Sequence, residues 1–88
     1  MKIKEGFVLK EIAGSFVVVP VGNELVDLSA MITLNETGAF LWSLLENDVD
    51  MDYMCEQVMK EYEGAPADEV RNDISEFVTT LKERNILE

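Results

Sequence analysis

The sequence contains no histidine, and Cys55 is its single cysteine. Histidine is the commonest general base and a very common metal ligand, so the sequence lacks the usual residue for general acid–base catalysis and for metal binding. Reactive thiolates are favoured by nearby cations, whereas Cys55 is followed by an acid, so we expect it to be a packing residue. Asp48, Asp50 and Asp52 are spaced like calcium ligands but lack the glycine and terminal glutamate of a calcium loop. We therefore expect a protein that is not an enzyme, with no metal and no cofactor.

Long apolar runs are also missing. No run approaches the roughly 18 residues that suggest a membrane span, and the N-terminal MKIKEGF has no apolar run behind its lysines, as a signal peptide would. A single cysteine excludes a disulfide framework and fits a reducing compartment. We expect a cytoplasmic protein that does not bind membranes, with residues 1–88 forming one small domain.

Basic residues are scarce: eighteen acids stand against seven bases, for a net charge of −11. Within residues 46–76, only Lys60 and Arg71 oppose a dense run of acids. Such a field repels phosphates, which makes nucleic acid an unsuitable partner. The acids are either a solvated helical surface or a surface that attracts a cationic partner segment, and the sequence leaves both interpretations open.

Three strand-like segments come first along the chain. Phe7 to Ile12 is rich in residues that favour strands, and Ala13-Gly14 signals a turn. Ser15 to Val21 (SFVVVPV) is a nearly continuous apolar run, which is typical of a central strand. Gly22-Asn23 then fits a two-residue hairpin turn, because both residues tolerate positive φ. Glu24 to Ser29 follows as the third strand of an antiparallel sheet.

That turn fixes a register for the second hairpin. It places Val17 opposite Leu28 and Val19 opposite Val26, and it predicts that these four side chains face the core.

Three helices follow the strands. Asn35 and Asp50 are good N-caps for the first two helices, and Pro66 suits the first position of the third. In the third helix an apolar stripe recurs at helical spacing: Val70, Ile74, Phe77, Val78 and Leu81. The order predicts an α+β fold, in which a three-stranded antiparallel sheet is followed by a three-helix bundle.

The third strand is an edge of this predicted sheet. Glu24 to Ser29 carries two acids and no proline or lysine that would block pairing. An extended peptide could therefore add to it as a fourth strand. The alternative is that the edge is short or covered by the third helix, and the residues alone do not separate the two.

The chain resembles the PqqD-like family over almost its whole length. The resemblance depends on VVVPVG, on LVDLSAMITLNETGAFLWSLLE and on VRNDISEFVTTLKERNILE, and LNETGAFLW is its most specific part. This family, known from PQQ biosynthesis and other natural-product pathways, recognises the leaders of ribosomally made, post-translationally modified peptides. The resemblance implies a winged-helix-like fold and a non-catalytic domain, the RiPP recognition element.

The resemblance also implies partners and a site. The leader of a precursor peptide would add as a strand to strand three, in a groove walled by helix three, and would be presented to a modifying enzyme, often a radical S-adenosylmethionine enzyme. Carried over by position, the peptide-binding residues are Leu25, Val26, Asp27, Leu28 and Ser29 of strand three, with Arg71, Ile74, Ser75 and Val78 of helix three.

An alternative function stays open. A winged-helix-like module of this kind could bind a protein partner or act in regulation without binding a leader. An exposed edge can also exchange strands between copies, so we expect either a monomer or a strand-swapped dimer.

Overall fold

The computed structural model describes residues 1–21 and 32–88. Within these ranges the fold is α+β, with a three-stranded antiparallel sheet followed by three helices, which confirms the predicted fold class. The elements are β1 (Phe7–Ile12), β2 (Ser15–Pro20), β3 (Ile32–Leu34), α1 (Glu36–Leu44), α2 (Met51–Glu61) and α3 (Ala67–Glu83).

The first hairpin turns at Ala13 and Gly14, as predicted. Their φ angles are 52° and 82°, and Ile12 pairs with Ser15 across the turn. Two successive positive φ values give the turn a twist that matches the flanking strands. This two-residue turn fixes the β1–β2 register, in which Leu9 lies opposite Val18.

The predicted register of the second hairpin is wrong. Val17 pairs with Thr33 of β3, not with Leu28, and Val18 pairs with Ile32. The predicted turn at Gly22-Asn23 and the predicted strand Glu24 to Ser29 lie outside the described residues. A continuous apolar run offers no alternation from which the neighbour of β2 could be derived.

The face assignment within β2 changes as well. Val18 is completely buried and, with its partners Leu9 and Ile32, belongs to the core face of the sheet. Because side chains alternate along a strand, Val17 and Val19 lie on the opposite face and not toward the core as predicted.

Two of the three helix starts follow the predicted caps. The Asn35 Oδ1 atom accepts a hydrogen bond from the backbone N–H of Gly38 at 2.8 Å, and the Asp50 Oδ1 atom accepts one from Tyr53 at the same distance. Pro66 is the N-cap of α3, one position before the predicted one, and makes no side-chain cap. Local side-chain chemistry therefore defines where α1 and α2 begin.

α3 ends in a left-handed residue that turns the chain back to the core. Asn85 has φ 62°, the Asn85 N–H donates to the carbonyl of Lys82, and the Ile86 N–H donates to the carbonyl of Leu81. This pair of bonds is a Schellman motif, and Asn tolerates its left-handed position. The following residues form an isolated bridge with the N-terminal segment, between Ile3 and Leu87.

The core lies between the sheet and the three helices. Its largest fully buried side chains come from every layer: Val18, Trp42, Leu45, Met54, Ile74, Leu81 and Ile86. No helix in the described part of the chain is both long and apolar enough to span a bilayer.

Candidate functional site

Among the described residues, β3 forms one edge of the sheet, because the strand order is β1-β2-β3. The Val21 N–H donates to the carbonyl of Gly6, which marks that opposed pair as hydrogen-bonded. Hydrogen-bonded pairs alternate along an antiparallel ladder, so Val17 and Val19 bond toward β1, and Phe16 and Val18 bond toward β3.

The same alternation assigns the backbone of β3. Ile32 and Leu34, which oppose Val18 and Phe16, bond to β2. Thr33 opposes Val17, whose backbone groups are used on the β1 side, so the N–H and C=O of Thr33 point away from the sheet. Thr33 is exposed, and no strand among the described residues pairs with its outward N–H and C=O.

An open cavity of about 360 Å³ lies where β3 passes into α1. It is lined by Asn35, Thr37, Gly38 and Leu41 on one side and by Asp73 and Phe77 of α3 on the other. A second cavity of about 180 Å³ shares Thr37, Leu41 and Asp73 with the first and extends toward the end of α2. We call this joined space the α1–α3 groove.

The second cavity is the more apolar end of the groove. Besides the three shared residues, its wall consists of Val58, Tyr62, Ala65, Val70 and Ile74. The ring of Tyr62 is held at its rim by an edge-to-face contact with Phe40, with the centroids 5.9 Å apart. The groove therefore has a polar end beside β3 and an apolar end beside α2.

Gly38 allows α1 to begin close to β3. A Cβ atom at this position would lie 3.1 Å from the Leu34 Cβ and 3.3 Å from the Asn35 Oδ1, closer than most real contacts. A side chain at Gly38 would therefore push α1 away from the end of β3 and alter the polar end of the groove.

α3 presents two different flanks on either side of its buried stripe. Arg71 and Ser75 are four residues apart on one flank, and Asp73 and Phe77 are four residues apart on the other. The Arg71 Nη2 atom donates to the Asp52 Oδ1 atom of α2 at 2.6 Å. That hydrogen bond, more than any other interaction, raises the pKa of the Arg71 guanidinium above its ordinary value.

The predicted site residues fall into three groups in the structure. Leu25, Val26, Asp27, Leu28 and Ser29 lie outside the described residues. Ile74 and Val78 are 1% and 4% exposed and belong to the core, although Ile74 also reaches the wall of the groove. Arg71 and Ser75 are exposed on the other flank of α3, where Arg71 pairs with Asp52 of α2.

The sequence reasoning missed Thr33, Asp73 and Phe77 as surface groups of this region. Phe77 was assigned only to the apolar stripe, yet it is half-buried and lines the cavity beside β3. A helical projection separates the two flanks of α3, but only the packing of α2 against Arg71 shows which flank faces the groove.

The acidic residues that resemble a calcium loop are engaged separately. Asp48 binds the N-terminal ammonium at 2.8 Å, Asp50 caps α2, and Asp52 holds Arg71. Within residues 1–21 and 32–88, no group of three or more possible ligands could hold a metal ion. Cys55 is a free, half-buried cysteine packed against the core.

The described residues form a small α+β domain in which β3, at one edge of the sheet, lies beside a groove lined by the last helix. Residues 7–87 match the family model of coenzyme PQQ synthesis protein D (PqqD). The chain therefore belongs to the PqqD family. A comparison with curated proteins gave no match.

Two solved structures share this fold. TbiB1, in its complex with the TbiA(beta) leader peptide, superposes with a TM-score of 0.77 at 24% identity, over 100% of this chain and 95% of that chain. Lasso peptide synthetase B1, complexed with the leader peptide, gives a TM-score of 0.73 at 19% identity, over 97% and 93% of the two chains. The likeness extends over nearly the whole of all three chains, so the α+β fold is common to them.

Proposed function

We propose that this protein is a non-catalytic adaptor that binds the leader of a ribosomally made precursor peptide and presents the precursor to a modifying enzyme. Membership of the PqqD family supports the proposal, as do two structures of the same fold that hold leader peptides. On this proposal residues 1–88 act as one domain in the cytoplasm, and the modifying enzyme is of the radical S-adenosylmethionine type.

The observation that carries the proposal is the outward backbone of Thr33 beside the α1–α3 groove. An extended peptide laid along β3 would exchange hydrogen bonds with the N–H and C=O of Thr33. Asn35, two residues further along the chain, already lines the groove. Side chains of the added strand would therefore reach the groove directly after the backbone pairing at β3.

The residues proposed from the sequence fit this arrangement in part. Ile74 lines the apolar end of the groove, whereas Val78 is buried in the core and lines neither cavity. Leu25 to Ser29 remain proposed contacts of the leader. The described edge at Ile32–Leu34 adds a pairing position that the sequence reasoning did not include.

Nuclear magnetic resonance tests the proposal. The leader is taken from the short precursor gene nearest to the gene of this protein, synthesised and titrated into the ¹⁵N-labelled chain. We expect the amides of Ile32–Leu34, Thr37 and Asp73–Phe77 to shift together. Shifts confined to the far side of the sheet, or no shifts at millimolar leader, would contradict the proposal.

A second candidate function is favoured by the other edge of the sheet. β1 has six residues, and Phe7, Leu9 and Glu11 bond away from β2 by the same alternation that applies to Thr33. A protein-interaction or regulatory module could use this edge, with a partner strand or with a second copy. Light scattering over a range of concentrations separates binding of a partner strand from binding of a second copy, because only self-association makes the mass of the isolated chain depend on its concentration.

A further inference from the structure

Asp73 is the one acidic side chain in the described lining of the α1–α3 groove, and both cavities of the groove include it. It is exposed, and it forms no hydrogen bond or ion pair with any part of the chain that the structure describes. By contrast, Asp48, Asp50 and Asp52 each have a defined partner. The Asp73 carboxylate thus offers unused acceptor capacity to whatever enters the groove.

The surroundings of Asp73 suit a long cationic side chain. Phe77 lies one helical turn further along the same flank, and Leu41 faces it from α1. Lysine and arginine pack their aliphatic stems on such apolar surfaces while their charged heads reach an acceptor. An aromatic ring near the head adds a cation–π attraction. The net charge of −11 favours a cation over an anion at this position.

The neighbouring cavity suits a different side chain. Its wall beyond Asp73 is formed by Val58, Ala65, Val70 and Ile74, with Tyr62 at the rim, so it takes a large apolar side chain. Residues two positions apart in an extended strand point to the same face and lie about 7 Å apart. Two cavities that share three lining residues adjoin each other, so we assign them to neighbouring side chains on one face of an added strand.

We infer that Asp73 selects leaders in which a lysine or arginine lies two positions from a large apolar residue. The cationic side chain lies against Asp73 and Phe77, and the apolar side chain occupies the cavity beside α2. This inference rests on the proposed function, because it assigns the specificity of the same peptide-binding groove. Asp73 is then a specificity residue, and Phe77 supports the stem of the cation.

A randomised peptide library provides the probe. Ten-residue peptides displayed on phage are selected against the intact chain, and the enriched sequences are aligned. We expect a lysine or arginine at a fixed position, with a large apolar residue two positions away in one direction. Enriched peptides without this pair would overturn the inference and leave peptide binding intact, whereas a selection without any binders would overturn the proposed function itself.

Affinity measurements on paired protein and peptide variants then separate the effect of Asp73 from the effect of the overall negative charge. The best selected peptide and its Lys→Gln analogue are titrated into the wild type, Asp73→Asn and Glu76→Gln, where Glu76 is an exposed acid on the same helix outside the groove lining. We expect Asp73→Asn to weaken the lysine peptide about five- to tenfold and the glutamine analogue less than twofold. Glu76→Gln should weaken both peptides equally and by less than twofold.

Reversing the charge at position 73 tests for a gain of binding in addition to these losses. Asp73→Lys should bind a Lys→Glu peptide at least fivefold more tightly than the lysine peptide, which reverses the preference of the wild type. Circular dichroism checks that each variant is folded. We expect every variant to fold, because the substituted positions are exposed. Equal losses in Asp73→Asn and Glu76→Gln, or no reversal in Asp73→Lys, would show that the peptide senses only the overall charge and would overturn the inference.

Discussion

The two edges of the sheet differ in length and in protection. β1 has six residues and carries exposed Lys10 and Glu11, whereas β3 has three residues, ITL, and no charge. Charged side chains on an edge strand discourage pairing with another chain. Of the two edges in the described part of the sheet, the longer one is therefore the better protected by charge, and the shorter one is the edge to which we propose that a leader adds.

The cavities beside the two edges also differ, in how deeply their aromatic walls are buried. A cavity of about 340 Å³ adjoins β1 and is lined by Phe7, Val8, Leu9 and Trp42, with Lys4 and Glu46 among its wall residues. Trp42 is only 2% exposed, so the aromatic wall on that side belongs to the core. On the β3 side the aromatic wall is the half-buried Phe77.

Trp42→Ala is expected to have the largest effect on stability. Removing a buried tryptophan costs about 3–5 kcal/mol of unfolding free energy, which is a large share of the stability of a domain this size. Urea denaturation followed by circular dichroism measures the loss, and Trp42→Phe serves as a milder variant should the alanine chain not fold. A loss below about 1 kcal/mol would mean that the wall beside β1 is not core.

Thr33→Pro and Leu9→Pro compare the two edges directly. Both residues direct their N–H away from β2, so each proline removes an edge donor without removing a ladder bond. We expect Thr33→Pro to weaken leader binding at least tenfold and Leu9→Pro less than twofold, measured by calorimetry. Thr33→Val, which keeps the N–H, should bind within twofold of wild type, and the opposite ranking of the two prolines would move the leader to β1.

The sequence predicted most of what depends on local chemistry. Asn35 and Asp50 cap helices because their side chains reach N–H groups three residues away, and Ala13-Gly14 forms a turn because of its backbone preferences. The partner of β2 was not predictable in this way. It depends on which distant segment meets Val17, and an apolar run such as SFVVVPV does not specify a register.

The candidate site was predictable only in outline. The resemblance indicated strand three and helix three, and the described residues place β3 at one edge of the sheet and α3 in the wall of a groove. The individual side chains on α3 depend on its rotation about its own axis, which is set by the packing of its buried residues, Ile74 among them, in the core. Such long-range contacts leave no local pattern in the sequence.

Phe77→Ala is expected to have a smaller effect that is specific to the β3 side. The ring is half-buried beside the groove, so its loss should weaken leader binding about fivefold and destabilise the fold less than Ile74→Ala, which is expected to cost about 2–5 kcal/mol. Thr79→Ala, at an exposed position of the same helix, should change neither quantity. Equal binding by Phe77→Ala and wild type would remove Phe77 from the site.

The combined change Lys10→Val and Glu11→Val is expected to have the smallest effect on the isolated chain, and it tests whether charge protects the outer edge of β1 from pairing. Both side chains are exposed, so the fold should tolerate the change, whereas the outer edge of β1 loses its charges. We expect the apparent mass in light scattering to rise with concentration toward that of a dimer, while leader affinity stays within twofold. Adding Leu9→Pro should restore the monomer, because the proline removes the middle one of the three outward N–H groups of β1, between those of Phe7 and Glu11. A variant that stays monomeric at millimolar concentration would mean that β1 is protected by something other than its charges, and the comparison of the two edges would then rest on the grooves beside them.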